Sequence, residues 1–260
     1  MVKKMVKSKV GVSSRMAPFL KNGKGIILAY DQGLEHGPSK DFNEKNVDPE
    51  QIIEIAEKGG FTGLVFQKGV AENYYHGKVP LILKLNGKTS LPGGEPIARQ
   101  ICSVKQAIEI GAKGVGYTIY PGSAFEHEML AEFGKIQEEA HHAGLPVLAW
   151  VYPRGATIKN DTAPEIVSYA ARVGLEAGAD AVKIKYSGDR QSFSWAVKAA
   201  GKARIFMSGG PKAPTDEDFL NQVRGVMEAG ATGIAVGRNV WQNDDPLRMA
   251  SALRKIIFGE

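Results

Sequence analysis

Two lysines stand two positions apart in the apolar stretch Asp180-Ala181-Val182-Lys183-Ile184-Lys185-Tyr186. The stretch has the composition of a buried strand, in which alternate side chains point to the same face. Burying two ammonium groups side by side is costly, and loss of a proton from one of them lowers that cost. A neutral lysine in an enclosed pocket is a nucleophile. The alternative is that both side chains extend to the rim of the sheet, where water solvates them.

The elements around this stretch decide between the two alternatives. From Gly25 onward, apolar runs alternate with amphipathic segments. The eight runs cover residues 25–31, 63–67, 80–85, 114–120, 146–152, 180–187, 203–207 and 233–236. Eight strand-then-helix units are typical of a (β/α)8 barrel, and no GxGxxG follows the first run, as it would in a dinucleotide-binding doubly wound sheet. We therefore predict a single TIM-barrel domain over residues 25–260, preceded by an arm over residues 1–24.

Several helices carry start signals in the sequence. Asp48 precedes Pro49 as an N-cap with proline at the first helical position. Thr162 and Glu165 have the spacing of a capping box for a helix that ends near residue 176. A further short helix is expected over about residues 12–21 of the arm, and about residues 1–10 are expected to be disordered.

A barrel of this kind carries its active site at the carboxyl ends of its strands. Val182 and Ile184 suit the side that faces the helices, so Lys183 and Lys185 must point into the barrel, with Lys183 the deeper. The polar and aromatic residues at the other strand ends are Asp31, Lys84, Tyr120, Ser123, Trp150, Tyr152 and Arg154.

The side chains at these strand ends each allow a structural and a chemical interpretation. Asp31 could cap a loop, or it could orient the amine of Lys183 and relay protons. Tyr152 and Trp150 could be packing aromatics, and Tyr152 could equally be a general acid or base. Lys84 rivals Lys183 as a nucleophile, but its place near a strand end predicts that it is solvated.

Glycine-rich segments follow the seventh and eighth runs, where this fold frequently binds phosphate through backbone N–H groups. These segments are Ser208-Gly209-Gly210 and Gly237-Arg238. The alternative is that the glycines serve only tight turns. Arg154 could bind a second anionic group or lie in solvent.

The composition limits the class of protein. Residues 1–24 contain seven basic and no acidic residues, so the net charge of +5 belongs to the arm and the rest of the chain is slightly acidic. We therefore expect no nucleic-acid partner. No apolar run has membrane-spanning length, and the single cysteine, Cys102, fits a reducing, cytoplasmic setting.

The five histidines do not have the spacing of a metal site. Only His36 falls on a loop at the carboxyl side of the strands, where it could contact substrate. We expect neither a metal nor an organic cofactor.

Several motifs, in order along the chain, resemble those of archaeal-type class I fructose-1,6-bisphosphate aldolase. They are Leu28-Ala29-Tyr30-Asp31-Gln32-Gly33-Leu34-Glu35-His36-Gly37-Pro38, Trp150-Val151-Tyr152-Pro153-Arg154-Gly155, Val182-Lys183-Ile184-Lys185-Tyr186, Met207-Ser208-Gly209-Gly210 and Val236-Gly237-Arg238-Asn239. The resemblance runs from about Gly25 to the C-terminus. It implies a metal-independent enzyme of glycolysis or gluconeogenesis that cleaves fructose 1,6-bisphosphate to dihydroxyacetone phosphate and glyceraldehyde 3-phosphate.

The resemblance also implies roles for individual residues. Lys183 would be the Schiff-base lysine, Tyr152 the proton-transfer residue that takes the C4 hydroxyl proton, and Asp31 the acidic partner. Trp150 would line the site. Binding of the two phosphates would fall to the segments Ser208–Gly210 and Gly237–Arg238 and, at the far end, to Arg154.

Lys185, nearer the mouth, is expected to hold down the pKa of the Lys183 amine and to meet a substrate oxygen. Members of the family are commonly decamers of two stacked pentamers, so a homo-oligomer is expected. The principal alternative is a transaldolase-like 2-amino-3,7-dideoxy-D-threo-hept-6-ulosonate synthase, which would keep Lys183 and Tyr152. A more remote alternative is a non-catalytic phosphosugar-binding or scaffold protein.

Overall fold

Eight parallel strands close into a barrel in a computed structural model, which describes residues 11–37 and 41–260. The strands are Gly25–Tyr30, Gly63–Gln67, Leu81–Lys84, Gly114–Ile119, Val147–Val151, Ala181–Ile184, Arg204–Ser208 and Gly233–Val236. Each pairs in parallel with the strands before and after it in the chain, and the last pairs with the first. The TIM-barrel prediction is therefore confirmed. Residues 1–10 and Pro38 lie outside the described residues.

Helices cover the outside of this barrel and bury its apolar outer face. The long ones are Pro49–Lys58, Lys68–Tyr74, Val104–Glu109, Glu126–His142, Pro164–Glu176, Arg190–Ala199, Asp216–Glu228 and Pro246–Phe258. Short helices, Gly33–His36 and Arg238–Trp241, follow the first and last strands, and a two-residue hairpin pairs Asn86–Gly87 with Arg99–Gln100. Among the described residues, none of the helices is long and apolar enough to cross a membrane.

The helix starts follow the sequence signals in part. The carboxylate of Asp48 accepts a hydrogen bond from the backbone N–H of Glu50 at 3.0 Å, as an N-cap does. The capping box predicted at Thr162 is wrong. The helix begins at Pro164, and the Thr162 hydroxyl donates instead to Asn160 Oδ1 at 2.8 Å. The Asn160 side chain accepts from Thr162 first and so removes the cap.

The floor of the barrel, at the amino ends of the strands, is closed by the N-terminal segment. A helix, Val12–Met16, continues as a 3₁₀ turn, Ala17–Phe19, which is shorter than the helix expected over 12–21. Met16 and Phe19 are fully buried against the inner side of the strands. Three strands begin with glycine at the Phe19 ring or backbone, and a Cβ at Gly25, Gly63 or Gly114 would lie within 3 Å of Phe19 atoms. The glycines therefore make room for this plug.

A buried ion-pair network fixes the plug to the strand that carries the two lysines. Asp180, fully buried just before that strand, accepts from Arg15 Nη2 at 2.6 Å and from the Val147 N–H at 2.9 Å. His141 Nε2 lies 2.8 Å from its other oxygen. Burial alone would raise the pKa of Asp180, but these hydrogen bonds hold it below its ordinary value.

Candidate active site

A cavity of about 250 Å³ opens at the carboxyl ends of the strands. Its wall includes residues from all eight strands or from the loops that follow them. Every residue predicted for the site lies on this wall: Asp31, His36, Trp150, Tyr152, Arg154, Lys183, Lys185, Ser208, Gly209, Gly210, Gly237 and Arg238. Their placement follows from the barrel topology, and their roles stay predictions.

Lys183 points into the barrel and is 7% exposed, which excludes the rim alternative for this residue. Its strand neighbour in register is Trp150, whose ring centroid lies 5.1 Å from the Lys183 Nζ. Burial lowers the pKa of the Lys183 amine, Asp31 opposes the shift, and the positive charge of Arg238 adds to it. The low-dielectric surroundings thus favour the neutral, nucleophilic amine.

Lys185 does not have the electrostatic role expected of it. Its Nζ forms an ion pair with Asp161, and its side chain is 30% exposed. The positive charge that lowers the pKa of Lys183 is that of Arg238. Lys185 is nearer the mouth than Lys183, and a carboxylate partner compensates its charge before it reaches the inner amine.

Trp150 extends from the strand of Lys183 toward Lys84, two strands away on the other side. The Lys84 Nζ lies 5.6 Å from its ring centroid. The indole can reach this far because residue 116 is glycine: a Cβ there would lie 2.5 Å from the Trp150 ring and 3.3 Å from Lys84. Among the described residues, the buried Nε1 of Trp150 has no hydrogen-bond partner. It is a donor available to a bound substrate.

Lys84 is buried, at 4% exposure, and the prediction that it is solvated is wrong. Its Nζ donates to the backbone oxygen of Asn86 at 3.1 Å and to Oδ1 of the same residue at 2.9 Å. Asn86 is itself held, since its Nδ2 donates to Ala98 O and Thr118 O. The loop that follows the third strand folds back over its end and removes the lysine from water.

Burial shifts the acid–base properties of two further side chains in the cavity. It lowers the pKa of Lys84 to about 8, although the carboxylates of Asp31 and Glu35 oppose the shift. Burial raises the pKa of Tyr152, although its hydroxyl donates to Ser208 Oγ at 3.1 Å. Tyr152 is therefore a phenol at neutral pH, and it favours proton donation over proton acceptance in the resting enzyme.

Two carboxylates that the sequence analysis did not select organise the cations at the mouth. Glu35 accepts from Arg154 Nη1 at 3.1 Å, and Lys88 Nζ lies 3.6 Å from the same oxygen. The Arg154 guanidinium also lies over the rings of Tyr120 and Tyr152, at 5.3 and 5.6 Å from their centroids. Arg154 is thus held at the mouth and does not extend into solvent.

Asp41 plays the same part for the second group of cations. Its Oδ2 lies 2.8 Å from His36 Nδ1 and 3.2 Å from Arg238 Nη1. Glu35, His36 and Asp41 lie within seven positions of one another in the loop after the first strand. That clustering was the signal that could have identified the two acids, but a spacing alone does not show which cation each would meet.

The segments after strands seven and eight are joined by Asn239. Its Nδ2 donates to Gly209 O at 2.7 Å and to Pro211 O at 2.9 Å. Gly210 has a φ of +64°, which favours glycine. The N–H of Gly209 already donates to Ala235 O at 3.2 Å. Anion binding at this segment would therefore fall to neighbouring backbone and side-chain donors.

Within residues 11–37 and 41–260, no group of three or more histidine, cysteine or acidic side chains is placed to hold a metal ion. The arrangement supports nucleophilic chemistry by an amine: two buried lysines with lowered pKa, a neutral phenol, a carboxylate and cations at the mouth.

Comparison with known proteins agrees with this chemistry. Residues 25–243 match the family model for DeoC/LacD family aldolases. The chain is 59% identical, over 93% of its length and 92% of the relative's, to the class 1 fructose-bisphosphate aldolase of Thermoproteus tenax. It is 35% identical to a Methanocaldococcus jannaschii protein named fructose-bisphosphate aldolase/6-deoxy-5-ketofructose 1-phosphate synthase, over 99% of this chain and 93% of that one.

The solved structures agree with the relatives. One is an archaeal fructose-1,6-bisphosphate aldolase with its catalytic lysine covalently bound to the carbinolamine intermediate of the substrate. It is 56% identical, with a TM-score of 0.93, over 96% of this chain and all of that chain. The chain therefore belongs to the DeoC/LacD family of aldolases and, within it, to the class 1 fructose-bisphosphate aldolases.

Proposed function

We propose that this protein cleaves fructose 1,6-bisphosphate reversibly to dihydroxyacetone phosphate and glyceraldehyde 3-phosphate, through a Schiff base on Lys183. The observation that carries the proposal is the Lys183 amine, which is buried at the centre of the cavity with a lowered pKa. The relatives at 56–59% identity are aldolases, which favours this reaction over that of the transaldolase-like synthase.

The geometry supports a sequence of steps on Lys183. Its nitrogen lone pair attacks the C2 carbonyl of the substrate, and loss of water from the carbinolamine leaves an iminium. The iminium accepts the electron pair of the C3–C4 bond as that bond breaks, and the C4 hydroxyl loses its proton to become the aldehyde. Protonation of the resulting enamine at C3, followed by hydrolysis, frees Lys183.

Tyr152 and Asp31 assist these steps in different ways. The Tyr152 phenol, held by Ser208 Oγ, is the acid that protonates the enamine. The base role that the resemblance gives it at the C4 hydroxyl fits its raised pKa poorly, because a neutral phenol has no acidic partner to lose its proton to in the resting site. Asp31 is the negative charge that acts on Lys183, and it stabilises the iminium.

The cations at the mouth fit a substrate with two phosphates. Arg238 and His36, joined by Asp41, stand beside the segments after strands seven and eight. Arg154 and Lys88 stand with Glu35 at the other group. Binding both ends of the sugar orients the C3–C4 bond with respect to Lys183 and so lowers the entropic part of the barrier.

Borohydride reduction in the presence of fructose 1,6-bisphosphate, followed by peptide mapping, tests the proposal. We expect a reduced adduct on Lys183, release of triose phosphates measured with a coupled assay, and neither in Lys183→Met. Lys113→Met is the matched control, since Lys113 is exposed at the opposite end of the barrel. Absence of an adduct, or activity that a chelator removes and a divalent cation restores, would contradict the proposal.

We further propose that the enzyme is cytoplasmic and that it assembles as a homo-oligomer, with a decamer as the expected state. An outward-facing pair of large aromatics supports the assembly: Tyr169 and Trp195, on neighbouring helices, are 63% and 64% exposed. Such residues are typical of interface centres. Light scattering on the full chain would show the assembly, and a monomeric mass would contradict it.

A further inference from the structure

The reaction requires a base for the C4 hydroxyl, and the described cavity has one amine that the steps on Lys183 leave unused. Lys84 lies on the cavity wall at the carboxyl end of the third strand. It stands across Trp150 from Lys183, and the two amines lie 5.6 and 5.1 Å from the same indole ring. A substrate joined to Lys183 through C2 carries its C4 hydroxyl two carbons away, toward the cavity that Lys84 lines.

Lys84 is held as a functional side chain is held, and it is not merely buried. Asn86, fully buried, fixes the Lys84 Nζ through its backbone oxygen and its Oδ1. The same Oδ1 accepts from the Thr118 N–H at 2.8 Å, so its position is fixed from two sides. The two bonds use two of the three hydrogens of an ammonium group, and in the neutral amine they leave the lone pair free.

We propose that Lys84 is a second proton-transfer residue of this active site, whose amine takes the proton of the substrate C4 hydroxyl as the C3–C4 bond breaks. The proposal rests on the aldolase function proposed above. The O–H bond at C4 breaks, its electron pair forms the aldehyde C=O, and the proton forms a new N–H bond on Lys84. The C3–C4 electron pair passes into the enamine.

The proton balance closes within the cavity. Tyr152 gives its proton to C3, and the Lys84 ammonium returns the proton from C4 to the phenolate, directly or through solvent. The cycle then needs no external acid or base. A pKa of about 8 suits this exchange, since a base is most effective when its pKa is near the working pH. In the bond-forming direction, the same ammonium donates to the aldehyde oxygen.

The alternative is that Lys84 only supports the loop through Asn86, and two variants separate the roles. Lys84→Met removes the base, and Lys84→Arg keeps a cation and its donors but cannot accept a proton near neutral pH. We expect kcat for cleavage to fall about 100-fold in both. Borohydride trapping with dihydroxyacetone phosphate, which needs no C–C cleavage, should still label Lys183 within about threefold of the wild-type rate. Lys113→Met is again the control.

The pH profile of kcat completes the test. In the wild type, kcat should rise as the pH passes through about 8, and this limb should be absent from both variants. A Lys84→Met enzyme within threefold of wild type, a Lys84→Arg enzyme with full activity, or a wild-type kcat that is flat across this range would overturn the proposal. The wild-type profile applies even if a variant fails to fold. Failure of the wild type to label at Lys183 would instead contradict the aldolase function itself.

Discussion

The two ends of this barrel both bury charge, but they treat it in opposite ways. At the floor, the carboxylate of Asp180 meets Arg15, His141 and a backbone N–H, so the charged form is stabilised and the pKa falls. At the mouth, the amines of Lys183 and Lys84 are buried with too few negative partners. Desolvation lowers their pKa and favours the neutral form.

The difference shows where each kind of burial is useful. A fully hydrogen-bonded carboxylate holds elements together, and here it fixes the N-terminal plug to the strand of Lys183. An amine with few partners contributes little to stability, but it is reactive. The sixth strand joins the two, since its start is fixed by Asp180 and its far end carries the nucleophile three residues later. Substitutions at the floor should therefore change stability, and those at the mouth should change chemistry.

The largest expected effect is at the mouth. Lys183→Met removes the nucleophile and should lower kcat/KM by about 10⁴-fold or more, because no other described amine is placed to form the same iminium. The melting temperature should not fall, since a buried amine is replaced by an apolar side chain of similar length. Activity measured with the coupled assay and melting by circular dichroism check both parts. A loss of stability without loss of activity would reverse the contrast between the two ends.

The next effect is at the floor. Asp180→Ala leaves Arg15 and His141 without their shared acceptor and should cost about 3–5 kcal/mol in the free energy of unfolding. Denaturant unfolding measures it, with Asp189→Ala, at an exposed N-cap, as the milder control. Labelling of Lys183 in the protein that remains folded should be close to that of the wild type. An Asp180→Ala enzyme that is stable but unreactive would place the floor in the chemistry.

The same carboxylate predicts a pH dependence of stability. Because the pKa of Asp180 is lower in the folded state than in the unfolded chain, its contribution is present above the unfolded value. It is lost as the pH falls through the folded value. Unfolding measured in acid should therefore show a loss of stability that Asp180→Asn lacks. Equal acid sensitivity of both proteins would contradict the assignment.

Tyr152→Phe should have a smaller effect, a fall in kcat of about 100- to 1,000-fold. The phenol donates a proton but does not form the bond to substrate, and Ser208 loses only one hydrogen bond. Labelling of Lys183 with borohydride should continue, because the Schiff base forms before the step that Tyr152 assists. Cleavage at the wild-type rate in this variant would remove the role proposed for the phenol.

The sequence was sufficient for the barrel and for the inward direction of Lys183, because both depend on periodicity. Eight apolar runs require eight strands, and alternate residues of a strand share a face. Contacts between loops were not accessible in this way. The burial of Lys84 depends on Asn86 folding back over it, and the pairing of Lys185 depends on Asp161, which is 24 positions away. Neither contact leaves a local pattern.

The plug shows the same limit from the other end of the molecule. The basic composition of the arm indicates a solvated segment, yet Arg15 meets Asp180, a residue 165 positions away in the sequence. Phe19 fills a space made by glycines from three separate strands. Composition reports average polarity, and it does not show that one cation and one aromatic side chain of a basic segment have buried partners elsewhere.

The smallest expected effect distinguishes the two cations nearest Lys183. Since Arg238 adds to the lowering of the Lys183 pKa, Arg238→Met should raise that pKa and move the onset of imine formation to higher pH. Lys185→Met should leave the onset unchanged, because Asp161 compensates its charge. The rate of borohydride trapping against pH measures both, and dihydroxyacetone serves as the ketone so that lost phosphate binding does not confound the result. A shift in Lys185→Met without one in Arg238→Met would return the electrostatic role to Lys185.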